Sequence, residues 1–174
     1  MKKVLIVVDM QNDFVDGALG TPEAVAVVDK VAEKIKNFDG SIIVTYDTHS
    51  GDYMDTREGK YLPVPHCIKD TDGWQLNDKV QEALRGTAGW NVVHKPTFGS
   101  TRLVEMIQEQ GYATADVTLI GLCTDICVVS NALLLKAFYP EMNISVDASC
   151  CAGVTPESHQ AALMTMKSCQ INIL

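Results

Sequence analysis

Apolar segments typical of buried β-strands alternate along this chain with segments that have the apolar spacing of α-helices. Residues 4–8 form a continuous apolar run, the pattern of a strand that is buried on both faces. At Thr21-Pro22-Glu23, an N-cap residue, a proline and an acid open a helix that ends before Gly40. Further strands are predicted at residues 41–46, 91–94, 117–121, 143–146 and 170–174, and further helices at residues 76–84, 101–110, 125–138 and 155–168.

This alternation predicts an α/β fold in which helices cover both faces of a mainly parallel sheet of about six strands, a three-layer, Rossmann-like arrangement. The 174 residues suit one domain with a full hydrophobic core, and no repeat or linker divides them. Residues 1–174 are therefore predicted to form a single domain. A net charge of −8 argues against nucleic acid or an anionic membrane as the main partner, since either would favour a basic surface.

The cysteines and the N-terminal residues bear on the cellular compartment. The six cysteines are spaced neither as a disulfide framework nor as a zinc motif, which predicts reduced thiols. No apolar run approaches the ~20 residues of a transmembrane helix. The first apolar run stops at Asp9 without a small-residue cleavage site, so it is interpreted as a strand rather than a signal peptide. These features predict a cytoplasmic protein.

Several chemically active side chains directly follow predicted strands. In sheets of this kind, ligands bind beyond the carboxyl ends of the strands. Asp9, Asp47, Lys95 and the turn at residues 121–127 are therefore expected to gather at one edge of the sheet. Residues 47–75 are polar, with several Gly and Pro residues and little periodicity. A stretch of this length inside a compact domain indicates a functional loop.

Cys127 lies between a predicted strand and a predicted helix. A thiol on the first turn of a helix feels the positive end of the helix dipole, which is expected to lower its pKa and favour the thiolate. The same turn directs backbone N–H groups at whatever the sulfur attacks. From this placement alone, Cys127 fits either a nucleophile or a small buried hydrophobic residue. Asp125 is expected to cap the helix that carries it.

Asp9 and Lys95 each have two interpretations. Asp9 could cap the segment that follows it, or it could take the proton of Cys127 and later pass it to a leaving group. Lys95 could be a solvated surface charge, or its ammonium group could favour both a thiolate and an ionised Asp9. His94 is interpreted as structural, because alternation along its strand turns it away from Lys95, and so is His159 on the final helix.

Three motifs stand in order along the chain, each on a suitable element. They are residues 7–14 (Val-Val-Asp-Met-Gln-Asn-Asp-Phe), the Lys95-Pro96…Phe98 segment, and the turn from Gly121 through Thr124-Asp125 to Cys127-Val128. With these motifs the chain resembles the isochorismatase-like cysteine hydrolases, in particular the nicotinamidase/pyrazinamidase branch, over nearly its whole length. The resemblance implies a catalytic triad in which Cys127 attacks an amide carbonyl, Asp9 moves protons and Lys95 holds the charges in place.

The resemblance also implies an oxyanion hole and a ring-binding residue. Family members have a cis peptide bond four to five residues before the nucleophile, which corresponds to Leu122–Cys123 here. It would aim the backbone N–H groups of Cys123 and Cys127 at the oxyanion, so Cys123 is interpreted as a structural thiol whose backbone matters. Phe14 matches the aromatic residue that packs against the substrate ring, although the residue fits a core phenylalanine as well.

Asp47, His49 and His66 have side chains that bind divalent ions. Alternate residues of an extended segment project to the same side, so Asp47 and His49 could reach one ion, and such ligands suit Zn, Mn or Fe. The same residues also fit polar positions of an exposed loop. The resemblance implies that they bind a metal that holds the pyridine nitrogen of the substrate, with Glu58 as a further ligand. The alternatives to Glu58 are Asp52 and Asp55.

One position departs from the family pattern. The family usually has an aromatic residue about three positions before the later metal histidine, and here that position is Pro63. This aromatic residue completes a clamp around the pyridine ring. The clamp is therefore expected to be rebuilt by Tyr61 or Trp74, or the substrate is not nicotinamide.

Three functions remain open from the sequence. The first is an amidohydrolase that releases ammonia from nicotinamide or a related small heteroaromatic amide through a cysteine thioester. The second is a metal-independent cysteine hydrolase of the same superfamily that acts on another small amide, such as an N-carbamoyl compound. The third is a non-catalytic interaction protein, against which the complete Asp-Lys-Cys set argues. The resemblance also implies a homo-oligomer.

Overall fold

The computed structural model describes residues 2–174 and places six strands in one sheet. The strands are β1 (Lys3–Val8), β2 (Ser41–Asp47), β3 (Asn91–Lys95), β4 (Asp116–Leu122), β5 (Asn143–Ala152) and β6 (Asn172–Ile173). Their order across the sheet is β3-β2-β1-β4-β5-β6, and every neighbouring pair is parallel. The predicted α/β fold with a six-stranded sheet is confirmed.

Helices cover both faces of this sheet. They are α1 (Asn12–Val15), α2 (Pro22–Lys36), α3 (Arg57–Tyr61), α4 (Asp78–Arg85), α5 (Thr101–Glu109), α6 (Val129–Phe138) and α7 (Pro156–Ser168). Side chains of β1 alternate between two cores: Ile6 packs with α5, α6 and α7, whereas Leu5 and Val7 pack with α2 and α4. Burial on both faces explains the uninterrupted apolar run at residues 4–8. No helix within residues 2–174 combines the length and the apolar character needed to cross a membrane.

Two regions have more regular structure than the sequence predicts. β5 continues to Ala152, beyond the predicted end at residue 146. Its register against β4 shifts here, because Leu119 pairs with Val146 whereas Gly121 pairs with Cys151. Polar residues in this irregular stretch interrupt the apolar pattern from which the strand was predicted. The long loop at residues 47–75 contains α3 and two short 3-10 helices.

The strand order reverses at β1 and β4, the position where sheets of this kind bind ligands. Asp9 follows β1, while Asp47 and Lys95 end β2 and β3. Gly121 lets β4 approach β1 closely, since its φ is +112° and a Cβ atom there would lie 2.2 Å from the carbonyl oxygen of Val8. The predicted gathering of strand ends at one edge is therefore present.

Candidate active site

Cys127 lies in a turn of π-helix, Thr124–Val128, that joins β4 to α6. The backbone N–H of Val128 donates to the carbonyl oxygen of Cys123, which helps to close the turn. π-helical turns are rare in proteins and occur frequently at functional sites. The sequence predicted one continuous helix from residue 125, whereas α6 begins at Val129 and the π-helical turn precedes it.

Asp9, Lys95 and Cys127, which we call the triad, meet at this turn. The Nζ atom of Lys95 lies 2.6 Å from Oδ2 of Asp9 and 3.4 Å from Sγ of Cys127. It also donates to the carbonyl oxygen of Thr97 at 3.1 Å. All three triad side chains are buried, so water and salt screen their charges only weakly. The strand ends thus bring the three residues into contact, as the sequence led us to expect.

Burial is the largest influence on the pKa values of the triad residues. It raises the pKa of Cys127 well above the usual value, and the charge of Asp9 raises it further against the opposing effect of Lys95. Burial also raises the pKa of Asp9. Burial lowers the pKa of Lys95, but the neighbouring negative charges outweigh this effect and the pKa is raised. The expected lowering of the thiol pKa is therefore wrong for the resting site, because the sequence does not reveal burial beside Asp9.

Asp47, His49 and His66, which we call the His-Asp cluster, could hold a metal ion, because they place one donor atom each within 4.8 Å of one another. Oδ2 of Asp47 lies 3.0 Å from Nε2 of His49 and 3.5 Å from Nε2 of His66. Oε1 of Glu58 lies 3.7 Å from both imidazole nitrogens. Imidazole and carboxylate donors that converge on one point are typical ligands of zinc and related divalent ions.

The ring of His66 is oriented for this cluster. Its Nδ1 atom donates to the carbonyl oxygen of Val64 at 2.8 Å, which fixes the ring with Nε2 directed towards Asp47. Burial raises the pKa of Asp47, but hydrogen bonds from the two histidines lower it more strongly. The alternative carboxylates Asp52 and Asp55 are exposed and contribute no atom to the cluster.

A pocket connects the triad with the His-Asp cluster. Its lining consists of Phe14, Leu19, Asp47, Glu58, Leu62, His66, Phe98, Cys123, Ile126 and Cys127. Oδ1 of Asp47 lies 3.6 Å from Nζ of Lys95, so one carboxylate contacts both groups of residues. Apolar walls with a few convergent polar groups are typical of sites for small molecules. The site therefore combines a thiol, an acid–base pair and a candidate metal centre around one pocket.

Comparison with known proteins identifies the family. A profile of the isochorismatase domain matches residues 3–174. The chain belongs to the isochorismatase family.

Three relatives of this isochorismatase-family chain bear on its activity. A nicotinamidase of Schizosaccharomyces pombe is 26% identical over 98% of this chain and 91% of its own length. A pyrazinamidase of Pyrococcus horikoshii, solved in complex with zinc, is 29% identical with a TM-score of 0.82, over 100% of this chain and 99% of that one. An N-carbamoylsarcosine amidase of Thermoplasma acidophilum is 28% identical with a TM-score of 0.75, over 99% of this chain and 95% of that one.

Tyr61 and Trp74 were the two aromatic residues expected to rebuild the ring clamp. Neither of them lines the pocket of this isochorismatase-family chain. The side chain of Tyr61 is 94% exposed. Trp74 stacks on His94 with ring centroids 5.6 Å apart, and its Nε1 donates to the hydroxyl of Thr48 at 2.9 Å. Leu62, the neighbour of Tyr61, lines the pocket instead. α3 ends at Tyr61, and the chain beyond this point no longer follows the helix.

Phe14 and Cys123 both line the pocket. Phe14 lines the pocket, and its ring centroid is 5.4 Å from that of His66. The Leu122–Cys123 peptide bond is cis. No hydrogen bond from the backbone N–H of Cys123 is found within residues 2–174, so this donor can serve a ligand. Burial raises the pKa of Cys123 to about 12, as expected for a structural thiol.

Asp125 does not cap the helix, contrary to the prediction. Its Oδ1 atom accepts a hydrogen bond from the backbone N–H of Val154 at 3.0 Å, which ties the π-helical turn to the loop after β5. The N-cap residue is Cys123, which makes no side-chain cap bond. Nδ1 of His159 lies 2.8 Å from Oγ1 of Thr124, so α7 supports the same turn.

Two buried amide side chains that the sequence did not single out hold the two parts of the site. Gln11 donates to the carbonyl oxygens of Asp47 and Trp74 at 2.8 and 2.9 Å. It also accepts from the backbone N–H of Asp47 at 2.8 Å. One side chain thereby fixes the backbone of a cluster residue at two points. The sequence feature that could have predicted this role is the position of Gln11, two residues after Asp9 in the first motif.

Asn131 has the same role beside Cys127. Its side chain accepts from the backbone N–H of Ser100 at 3.0 Å and donates to the carbonyl oxygens of Phe98 and Cys127 at 3.1 and 2.8 Å. The loop after Lys95 is thereby joined to the π-helical turn. The available signal was an asparagine in an otherwise apolar helix, one helical turn after Cys127.

Proposed function

We propose that this chain hydrolyses the carboxamide of nicotinamide, or of a closely related heteroaromatic amide, to the carboxylic acid and ammonia. The observation that carries the proposal is the contact of a thiol, an ammonium group and a carboxylate at a pocket that Asp47 and His66 of the His-Asp cluster also line. A non-catalytic protein has no need of this arrangement. Nicotinamidase and pyrazinamidase activities among the relatives support the same substrate class.

In the first half of the reaction, Sγ of Cys127 attacks the amide carbon while Asp9 takes the thiol proton. Burial raises the pKa of Cys127 and so favours the neutral thiol over the thiolate, which is why proton transfer to Asp9 accompanies attack. The backbone N–H groups of Cys123 and Cys127 stabilise the tetrahedral oxyanion. Collapse breaks the C–N bond, the proton on Asp9 passes to the leaving nitrogen, and ammonia departs.

In the second half, the acyl group is a thioester on Cys127. Asp9, again ionised, removes a proton from water as the water oxygen attacks the thioester carbon. The C–S bond breaks, the proton returns to sulfur, and the acid product leaves. Lys95 stays protonated throughout, because its neighbours raise its pKa, and it balances negative charge as this charge moves between Asp9 and sulfur.

Asp47, His49 and His66 fit a divalent ion, with Glu58 as the further ligand. The fit rests on the converging donor atoms and on the hydrogen bond that fixes the ring of His66. When bound, such an ion supplies a Lewis-acidic contact for the ring nitrogen of the substrate. Phe14 packs against the ring, and Leu62 forms part of the wall that lacks the expected aromatic residue.

A substrate panel tests the proposed function. Purified protein is assayed for ammonia release from nicotinamide, pyrazinamide, benzamide and N-carbamoylsarcosine, with bound metal measured by atomic emission. We expect turnover of nicotinamide and pyrazinamide, weak turnover of benzamide, which lacks the ring nitrogen, and bound metal. Turnover of benzamide equal to that of nicotinamide would contradict the proposed role of the cluster.

The second candidate is a metal-independent amidase for N-carbamoyl compounds. The similarity to an N-carbamoylsarcosine amidase favours it, because that enzyme shares the fold at comparable identity. It predicts turnover of N-carbamoylsarcosine that survives dialysis against a chelator, in protein free of bound metal. The converging donor atoms of Asp47, His49 and His66 support the first candidate instead.

The homo-oligomer that the resemblance implies and the cytoplasmic location predicted from the sequence stay predictions. Light scattering of the purified protein tests the first, and fractionation of the source cells tests the second.

A further inference from the structure

Thr45 places a hydroxyl group in the interior of the sheet, beside apolar neighbours such as Val44. It is fully buried in β2, where it pairs with Val8, the residue before Asp9. Its Oγ1 atom donates to Oδ1 of Asp9 at 2.6 Å and accepts from the backbone N–H of Asp9 at 3.2 Å. This hydroxyl therefore holds the aspartate by its carboxylate and by its backbone.

The two carboxylate oxygens of Asp9 consequently differ. Oδ1 accepts the hydrogen bond from Thr45, whereas Oδ2 is buried and has no hydrogen bond within residues 2–174. Nζ of Lys95 lies 2.6 Å from Oδ2, but this contact is an ion pair without hydrogen-bond geometry. The same ammonium group donates to the carbonyl oxygen of Thr97 and to Sγ of Cys127. Oδ2 thus keeps a lone pair for another proton.

The backbone of Asp9 needs support in this position. Its φ is +47°, in the left-handed region that residues other than glycine rarely adopt. Such conformations persist where the surrounding structure holds them. The carbonyl oxygen and the hydroxyl of Thr45 both accept from the Asp9 N–H at 3.2 Å. The hydroxyl of Thr45 therefore contacts both the backbone and the carboxylate of Asp9, and the carbonyl oxygen of Thr45 gives the backbone further support.

We propose that Thr45 is a positioning residue for the reaction, whose hydroxyl occupies Oδ1 and fixes the rotation of the Asp9 carboxylate so that Oδ2 receives the thiol proton. The inference rests on the proposed function in one respect, namely that Asp9 is the base for Cys127. Without the hydroxyl, the carboxylate is free to turn about its Cβ–Cγ bond and to bind the Lys95 ammonium group through both oxygens. Neither oxygen then faces the thiol.

Two pairs of variants isolate the hydroxyl from the rest of the side chain. In the first pair, Thr45→Val replaces the hydroxyl of the wild-type residue by a methyl group. In the second pair, Thr45→Ser keeps a hydroxyl that Thr45→Ala lacks. Thr118→Val is the matched control, because Thr118 lies in β4 on the other side of β1, where it pairs with Leu5. The steady-state constants for nicotinamide and the rate of Cys127 alkylation by iodoacetamide, followed by peptide mass spectrometry, are measured for each.

We expect Thr45→Val and Thr45→Ala to lower kcat roughly 10- to 100-fold with little change in KM, because a misoriented base loses part of the about 10²- to 10⁴-fold that general acid–base catalysis contributes. Alkylation of Cys127 should slow in the same variants. Thr45→Ser should retain both rates within about threefold, and Thr118→Val should match the wild type. A role in packing alone would instead make Thr45→Ser as slow as Thr45→Ala, which overturns the proposal, as does wild-type behaviour of Thr45→Val.

The alkylation measurement separates this inference from the proposed function. It needs no amide substrate of the pocket, so it reports on Asp9 and Cys127 even if the wild type fails to hydrolyse nicotinamide. Failure of the wild type on the substrate panel would count against the proposed function only. If Thr45→Val does not fold, the ratio between Thr45→Ser and Thr45→Ala decides the role of the hydroxyl.

Discussion

The triad and the His-Asp cluster lie at the same edge of the sheet, but they are built in different ways. Asp9 and Lys95 come from strand ends, and Cys127 from the turn after a third strand, so the packed sheet fixes all three. The cluster takes only Asp47 from a strand, while His49 and His66 belong to the long loop that follows. A loop of this kind needs separate attachments to hold its ligands in place.

The first motif supplies those attachments. Beyond Asp9, Gln11 fixes Asp47, and Oδ2 of Asp13 accepts from the backbone N–H of Cys67 at 2.8 Å. Asn12 donates to the carbonyl oxygen of Asp72 at 2.9 Å. One short segment thus contributes the triad carboxylate and also fastens the loop that carries His49 and His66. The two regions differ in origin, yet they share this segment, and the following predictions test how far they are independent.

Removal of the Cys127 thiol should have the largest effect and should leave the His-Asp cluster intact. Cys127→Ala is expected to lower kcat for ammonia release by at least about 10⁴-fold, because the variant lacks the thiol that attacks the amide carbon in the proposed reaction. The variant should bind as much metal per chain as the wild type, measured by atomic emission. Loss of metal together with activity would show that the two regions depend on each other.

Removal of a cluster residue should affect binding more than chemistry. His66→Ala is expected to lose bound metal and to lower kcat/KM for nicotinamide about 10- to 100-fold, mainly through KM. Alkylation of Cys127 should proceed at the wild-type rate. His94→Ala is the matched control, since His94 is exposed and stacks on Trp74 outside the pocket. Slower alkylation in His66→Ala would contradict the separation of the two regions.

The same difference explains how much of the site the sequence could predict. Strand ends follow from apolar patterns, and parallel strands bring their carboxyl ends together, so the meeting of Asp9, Lys95 and Cys127 was predictable. His49 and His66 are separated by a loop whose path has no periodic signal, and only the family resemblance assigned them to one ion. The inward turn of Leu62 and the outward turn of Tyr61 were not predictable for the same reason.

Electrostatics was the least predictable part. The sequence places Cys127 after a strand and before a helix, which led to the expectation of a lowered thiol pKa. Burial and the charge of Asp9 reverse that direction. The sequence around Cys127 shows neither how deeply its thiol is buried nor how close the thiol lies to the carboxylate of Asp9. The sequence therefore predicted where Cys127 lies but not the direction in which its pKa is shifted.

The two buried amides offer a smaller and more selective test. Each satisfies three backbone groups, so Gln11→Ala and Asn131→Ala should both lower the free energy of unfolding by about 2–4 kcal/mol. Gln11→Ala is expected to weaken metal binding about tenfold, measured by competition with a chelator. Asn131→Ala should leave metal affinity unchanged and slow the alkylation of Cys127.

Gln11→Ala is expected to change metal affinity, whereas Asn131→Ala is expected to change the alkylation of Cys127. Each variant therefore serves as the control for the other. Equal losses of metal affinity in both variants would indicate general loosening of the fold. A slower alkylation in Gln11→Ala would mean that the first motif transmits its effect to the triad through Asp47, whose Oδ1 lies 3.6 Å from Lys95.

The smallest effect is expected at an ion pair outside both regions. Asp147, in the irregular part of β5, lies 2.8 Å from Nζ of Lys34 and accepts two hydrogen bonds from Ser149. Burial raises the pKa of Asp147, but these partners lower it more strongly. A folded-state pKa below the unfolded value of about 4 adds stability at neutral pH, which is lost as the pH falls through the folded-state pKa.

Asp147→Asn should therefore lower the free energy of unfolding at neutral pH by less than about 1 kcal/mol, because partly exposed ion pairs contribute little. The difference in urea unfolding between the variant and the wild type should shrink as the pH falls through the folded-state pKa, because the wild-type carboxylate then also becomes protonated. Ammonia release and metal content should match the wild type at neutral pH. A stability difference that persists in acid would assign the effect to packing of β5 rather than to charge. A loss of activity would mean that the bulged part of β5 supports the π-helical turn through its pairing with β4.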